Sequence, residues 1–455
     1  MSAEREPGSF RDSAGFVFYA DGEVFRHVSP IFGETWDRFV SSGLFPELMA
    51  RGLMVQTSVV PSRDPGAHVL LRATRVPTIS YPYEWAFSQL KDAALLTLEA
   101  MRLAMEHGFW LRDATAYNVQ FFGTKPILID TLSFGLYEEG KAWPAYGQFC
   151  RHFLAPLALA SKRHVGLIQL LRTHLDGVPL DLASRILPFR TKFDPGLAPH
   201  LHMHALAGGS AASKGPSGRP IPKNGILGMV DSLRRTVEGL KAPSGDTTWG
   251  QYYAQTNYTD RSFQAKRDLV KALLGEVSPL PGLIWDLGAN SGVFSECAAE
   301  IGARVVAWDA DPTAVELAYR KWKGEGRADL LPLLQDFSNP SPSQGWAHTE
   351  RKSFAQRAPA EATMALALVH HLAIGNNVPL AMVSDWLTTL APWTLVEFVP
   401  KADSQVQRML STREDIFTEY HEAGFEQAFA DRWTIVRKER IPDTERTLYL
   451  FRCRS

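Results

Sequence analysis

Strand and helix periods alternate through the second half of the chain. Short apolar runs that suit buried strands fall at 283–287, 304–308, 329–334, 362–368 and 393–398. Between them, apolar residues recur every three or four positions, which predicts helices over Val293–Glu300, 312–322, 378–390 and 411–423. Two more strand patterns, 433–439 and 447–452, are joined by Pro442-Asp443, so the last strand runs antiparallel to its neighbour. Strands alternating with helices predict an α/β fold around a mainly parallel sheet.

The first half is patterned differently. Gly15–Arg26 reads as a hairpin about the turn pair Asp21-Gly22. Helical spacing runs from Trp36 to Met49, and two strands follow at Met54–Val60 and His68–Thr74. A long helix from Ser88 to His107 carries the stripe Leu90, Ala94, Leu98, Met101 and Met105, and Gly108 ends it. A short strand, Pro126–Asp130, precedes a helical stretch from Trp143 to His204. The stretch from Leu206 to Pro222 is rich in Gly, Ser, Ala and Pro and predicts a linker, followed by a helix at Met229–Leu240. The expected division is an α+β domain at 1–205, a linker and bridging helix at 206–245, and an α/β domain at 246–455. In the last, Trp249–Tyr258 leads into a helix at Arg261–Leu274.

The 455 residues are 45 % hydrophobic and 21 % charged, as in ordinary soluble globular chains. Lys plus Arg number 48 against 49 for Asp plus Glu, which argues against a large nucleic-acid footprint. Cys150, Cys297 and Cys453 form no C-x-x-C pair and suit a reducing compartment. The polar Met1–Arg11 stretch lacks the apolar core of a signal peptide. The longest apolar run, Phe153–Ala160, contains a proline and is too short to span a bilayer. These features predict a cytoplasmic protein without a membrane span.

Chemistry concentrates where the strand 283–287 ends. Asp286, Gly288, Asn290 and Gly292 occupy a strand–turn–helix junction, and Asp309 ends the next strand 21 residues after Gly288. A dinucleotide site wants G-x-G-x-x-G, and no third glycine stands in register here. The pattern D-x-G-x-x-x-G resembles the first motif of class I S-adenosylmethionine-dependent methyltransferases. That resemblance implies a Rossmann-like seven-stranded sheet whose antiparallel seventh strand inserts beside the fifth. It makes Asp286, Gly288, Asn290, Gly292 and Asp309 cofactor-binding, with Asp336 at the adenine amino group and Phe337 at its ring. The fourth strand would bring His370 and His371 to the acceptor, where imidazole suits a general base. The N-P-P-Y signature of amino-group methylation on bases is absent, so a nucleic-acid acceptor is not expected.

Upstream, Asp113 and Asn118 are five residues apart after the long helix, and Asp130 ends the following strand. With the element order, this resembles the catalytic loop and metal-binding aspartate of protein-kinase-like folds. The resemblance implies ATP and magnesium, the metal held by Asn118 and Asp130, with Asp113 orienting a hydroxyl. Three departures stand beside it. No glycine-rich phosphate loop is present, Leu111 precedes the loop in place of histidine, and Thr131-Leu132 replaces Phe-Gly. Arg26 is the nearest basic residue to the place of the strand lysine. His200, His202 and His204 alternate without a Cys or carboxylate partner at ligand spacing, so they are expected to face solvent.

An insert follows Asp336: Ser338–Trp346 with Asn-Pro and Ser-Pro turns, then Glu350–Phe354. It reads as a loop over the site, and Arg351 and Lys352 either hold an anionic acceptor or, as is expected, are solvated charges. Together with His371, Ala373–Pro379, Tyr81–Phe134 and Trp249–Lys266, it resembles a group of bacterial methyltransferase-like proteins that includes rhizobial nodulation proteins. The resemblance implies methyl transfer to an oxygen or nitrogen of a glycan or other small metabolite. Two other readings stand beside it: a bifunctional kinase–methyltransferase, and a non-catalytic scaffold, which would need none of the turn residues.

Overall fold

A computed structural model describes residues 4–62, 64–206, 220–243 and 260–454. Most of the expected linker, and the Trp249–Tyr258 stretch, lie outside the described residues. Two compact units result: Met1–Ser244 with Gly345–Arg351, and Gly245–Gln344 with Lys352–Ser455. Among the described residues no helix is long and apolar enough to cross a membrane.

The N-terminal unit opens on an antiparallel sheet of β1 (Glu4–Arg5), β2 (Gly15–Ala20), β3 (Glu23–Val28), β4 (Thr57–Val60) and β5 (Val69–Ala73), in the order β1-β2-β3-β5-β4. The β2–β3 hairpin turns at Asp21 and Gly22, with φ of 50° and 80°, the two positive angles a two-residue turn demands. The single helix expected over Trp36–Met49 is two, Gly33–Ser41 and Leu44–Ala50, because Gly43 between them takes φ 81°. The strand expected from Met54 begins only at Thr57; Met54 bridges to Leu128 instead.

The long helix, Phe87–Glu106, buries its expected stripe and also Ala93, Leu96, Ala100 and Leu103. It is therefore covered on more than one side; one cover is the helix Lys223–Gly239, tied by Arg102 to Asp231 at 2.7 Å. Two small ladders follow: β6 (Phe109–Leu111) with β9 (Phe134–Leu136), and β7 (Val119–Phe122) with β8 (Lys125–Leu128). They hold the 113–118 loop and Asp130 at one end. Short helices fill the unit from Tyr146 to Met203.

The histidines among these helices correct an expectation. His200 and His202 are buried, not solvent-facing. His200 bonds Tyr146 and Ser232 through its two ring nitrogens, and His202 bonds Ser184 and Thr191. Each hydroxyl satisfies a ring nitrogen that burial would otherwise strand.

Among the described residues the C-terminal unit contains seven strands: β10 (Leu283–Leu287), β11 (Arg304–Asp309), β12 (Leu330–Leu334), β13 (Ala362–Ala365), β14 (Trp393–Phe398), β15 (Trp433–Arg440) and β16 (Thr447–Cys453). Their order is β12-β11-β10-β13-β14-β16-β15. The first five are parallel, and β16 runs antiparallel between β14 and β15. This is the strand order the methyltransferase resemblance implies, with the last strand inserted beside the fifth. The order reverses between β10 and β13, and a crevice outside the carboxyl ends of such strands is where open α/β sheets bind ligands. Two boundaries differ from expectation. The fourth strand stops at Ala365, because Ala367 takes φ 51°. The helix expected at 411–423 is replaced by helices at Ser404–Leu410 and Glu422–Ala430.

Candidate functional site

The turn after β10 is built by hydrogen bonds across to β11. Gly288 and Ala289 both donate their N–H to the Trp308 carbonyl at 2.9 Å, and the Asn290 N–H reaches Asp309 Oδ2 at 2.7 Å. Gly288, Asn290 and Gly292 have φ of 79°, 52° and 83°, a left-handed path that leads into the helix Val293–Glu300. The two glycines serve different ends. A Cβ on Gly288 would find atoms of Leu368 nearest, at 3.3 Å, whereas one on Gly292 would stand 2.2 Å from the Trp322 ring. Gly292 thus seats the helix Pro312–Gly324 against the turn, and Trp322 is fixed there by donating Nε1–H to Glu296 at 2.7 Å.

Two carboxylates flank this turn. Asp286 is buried and accepts a hydrogen bond from Ser295 Oγ at 2.6 Å. Burial pushes its carboxyl up to about 7; Asp309 adds to the rise, while Ser295 and Lys266 oppose it. Burial pushes Asp309 up to about 6, against the N–H groups of Asp311 and Asn290 that favour its charge. Asp336, at the end of β12, is exposed and accepts from Ser338 N–H and Oγ at 2.8 and 2.6 Å. Phe337 is half-buried, with its ring 5.7 Å from Phe354 and 5.5 Å from Trp386.

His370 and His371 stand beyond β13, their rings 4.2 Å apart at the start of a π-helical turn, His371–Gly375. Burial lowers the pKa of both, and His371 gains a further push from the Arg446 charge. His370 Nδ1 is buried without a hydrogen-bond partner among the described residues. The charges of an ionic network reach His370. Lys266 Nζ donates to Glu397 Oε2 at 2.6 Å; Arg446 stands 3.4 Å from Glu397 Oε1 and donates to Asp403 at 2.8 Å. Lys266 also lies 4.3 Å over the Phe294 ring, and its charge reaches Asp286.

In the N-terminal unit, Asp113, Asn118 and Asp130 do come together. Asn118 Nδ2 donates to Ser133 Oγ at 2.9 Å, which donates to Asp130 Oδ2 at 2.6 Å; Asn118 also bonds Asp113. Burial and the Asp130 charge raise the Asp113 pKa. Burial would raise Asp130 too, but the Arg26 guanidinium at 2.7 Å holds it below its ordinary value. The Gly345–Arg351 part of the insert packs in this unit. Glu350 takes two hydrogen bonds from Arg11, and the Arg351 guanidinium lies 4.4 Å over the Tyr117 ring. Arg351 is therefore a packed cation, not the solvated charge expected.

A scan against protein-family models finds no match. Over 98 % of its length, however, the chain is 38 % identical to the nodulation protein NoeA of Rhizobium meliloti (strain 1021), 96 % of which it covers. The chain belongs to the NoeA family. Among solved structures it is similar to magnesium protoporphyrin IX methyltransferase (ChlM) from Synechocystis PCC 6803 with bound SAM. There the identity is 20 %, over 47 % of this chain and 87 % of that one, at a TM-score of 0.32. The bifunctional kinase-methyltransferase WbdD matches 42 % of this chain and 39 % of its own, at 11 % identity and a TM-score of 0.30. At such scores the fold assignment rests on the strand order described above.

In this NoeA-family chain, residue patterns alone passed over Lys266, Arg446 and Trp322. Lys266 carried a signal: it falls on the buried face of the helix Asp260–Gly275, four residues from Ser262 and from Val270. A lysine on that stripe needs a buried counter-charge. Glu397, at the end of the fifth strand, is the matching acid. Arg446 follows the final turn, where nothing in the local pattern marks it.

Proposed function

We propose that the C-terminal unit transfers a methyl group from S-adenosylmethionine to an oxygen or nitrogen of a small-molecule or glycan acceptor. The observation that carries this reading is the pair Asp286 and Asp309, two carboxylates raised by burial on either side of a glycine turn at the switch point of the sheet. S-adenosylmethionine brings a sulfonium, an ammonium and two ribose hydroxyls, and the donor set fits it. Raised carboxylates gain most from a nearby cation. Asp309 would accept from the ribose hydroxyls, and Gly288 presents bare backbone to a ligand at the turn.

The cofactor supplies an activated methyl group that carries its own leaving group. The chain's residues then have to orient the partners and take up a proton. His371, with His370 behind it, is assigned that second role; burial keeps both imidazoles neutral and ready to accept. Phe337 offers a ring face beside the exposed Asp336 for the adenine. The balance of 48 basic and 49 acidic residues supports a small acceptor over nucleic acid.

Native mass spectrometry of freshly purified protein tests this. The wild type is expected to retain, or take up at one equivalent, S-adenosylmethionine or its demethylated product, and Asp309→Ala to lose it. A wild type that takes up neither would leave the unit a binding platform.

A further inference from the structure

Both oxygens of Asp130 are engaged by donors, one of them a cation. Its Oδ1 faces Arg26 Nη1 at 2.7 Å and accepts the Leu132 N–H at 3.1 Å, while Oδ2 accepts from Ser133 Oγ at 2.6 Å. Arg26 is not a drifting surface charge. It sits on β3, the central strand of the sheet, paired with Val17 on one side and Leu71 on the other. The two side chains are 14 % and 16 % exposed, so the pair is largely withdrawn from water. Separating it would strand a buried charge on each side.

The rest of the cluster has the same bias. Arg112 adds a second positive charge within reach of Asp130 and donates to the Leu132 carbonyl at 2.8 Å. Asn118 turns its amide nitrogen to the hairpin, donating to Ser133. Magnesium demands oxygen ligands in near-octahedral array at about 2.0–2.1 Å. Guanidinium groups are donors only and repel it. Magnesium and ATP, implied by the kinase-like resemblance, do not fit the residues present.

We infer that Arg26 takes the place a divalent metal holds in a phosphotransferase. Asp130 is its counter-ion, not a metal ligand, and the N-terminal unit works as a metal-free platform. The Arg26–Asp130–Ser133–Asn118 chain of contacts then has a mechanical role. It ties the sheet to the 113–118 loop, the same loop whose Tyr117 carries Arg351 on its face. The bifunctional kinase–methyltransferase reading loses its metal, and with it the charge that bridges nucleotide phosphates.

The test uses the full chain and manganese as the probe for magnesium, with bound ion read by electron paramagnetic resonance. Wild type and Asp130→Asn should bind manganese equally, and magnesium-ATP should leave the melting temperature of both unchanged. Arg26→Gln should gain a manganese site that Arg26→Gln/Asp130→Asn lacks; Arg26→Lys, which keeps the charge, should gain none. Circular dichroism confirms that each variant is folded. If Arg26→Gln does not fold, the wild-type, Asp130→Asn and Arg26→Lys comparisons still decide. Manganese binding or magnesium-ATP stabilisation in the wild type that Asp130→Asn abolishes would overturn the inference. So would a folded Arg26→Gln with no gain of metal.

Discussion

Lys266 and Glu397 face each other at 2.6 Å inside the C-terminal unit, with side chains 2 % and 0 % exposed. Burial, helped by the Arg446 charge, lowers the lysine pKa, and the carboxylate opposite works against that fall. The pair joins the helix Asp260–Gly275 to the end of β14, beside the carboxylate of Asp286. Removing one partner of such a buried pair strands the other. Lys266→Met should therefore cost about 3–5 kcal/mol in urea denaturation, towards the lower figure because Arg446 still faces Glu397. A cost under about 1 kcal/mol, the range of an exposed pair, would show that the pair is hydrated.

The two turn glycines should separate in their effects. Gly288→Ala asks only a small yielding of the Leu368 side chain, 3.3 Å from the added methyl group, and suffers mainly from its left-handed backbone, about 1–2 kcal/mol. Gly292→Ala meets the same backbone cost and also drives a methyl group into Trp322, roughly another 1–3 kcal/mol. Thermal denaturation should rank Gly292→Ala clearly below Gly288→Ala. The reverse order would mean that the helix Pro312–Gly324 does not pack on the turn as described.

Asp286 should make stability depend on pH with a definite sign. Its folded carboxyl is raised to about 7, while an unfolded aspartate titrates near 3.9. Between those values the folded chain holds a proton the unfolded chain has released. Asp286 therefore weakens the fold progressively as pH climbs through that window, and the penalty is complete above it. Asp286→Asn lacks this term. Its stability relative to wild type should improve from pH 5 to pH 8, measured by urea denaturation at both. A difference between the two proteins that does not change with pH would place Asp286 in contact with water.

His371→Ala should lower methyl transfer on the order of a hundredfold with cofactor affinity nearly unchanged, the mark of a lost general base. Tritium transfer from labelled S-adenosylmethionine into a small-molecule extract reads this. If His370→Ala alone shows the loss, the base is the buried member of the pair. Full turnover in both variants would remove the imidazoles from the mechanism.

How legible these sites were depended on how local their signals are. The turn Asp286–Gly292 and the acid at Asp309 announce themselves because spacing, glycine and strand end lie within one βαβ unit. The parallel sheet followed from the same alternation, whereas the strand order came only from the methyltransferase resemblance. What escaped was set by distant contacts. The Arg26–Asp130 pair joins residues 104 positions apart; the pattern marked Arg26 only as the basic residue nearest the strand-lysine place, not as the partner of that aspartate. His200 and His202 read as polar and alternating, yet hydroxyls from Tyr146, Ser184, Thr191 and Ser232 make their burial tolerable. Gly43 split a helix whose apolar spacing continues across it, because period alone does not register a left-handed residue.

The central claim is that the Asp286–Gly292 turn and Asp309 hold S-adenosylmethionine. Isothermal titration calorimetry with S-adenosylmethionine and its demethylated product tests it most directly, run near pH 7 in two buffers of different ionisation enthalpy. The account predicts one site per chain. Affinity should fall on the order of tenfold or more in Asp309→Ala and in Gly288→Val and stay unchanged in Asp130→Asn. The sulfonium-bearing ligand should also release more protons than its neutral-sulfur product, because its cation favours ionised Asp286. Unchanged affinity in both Asp309→Ala and Gly288→Val, or no binding by the wild type, would contradict it.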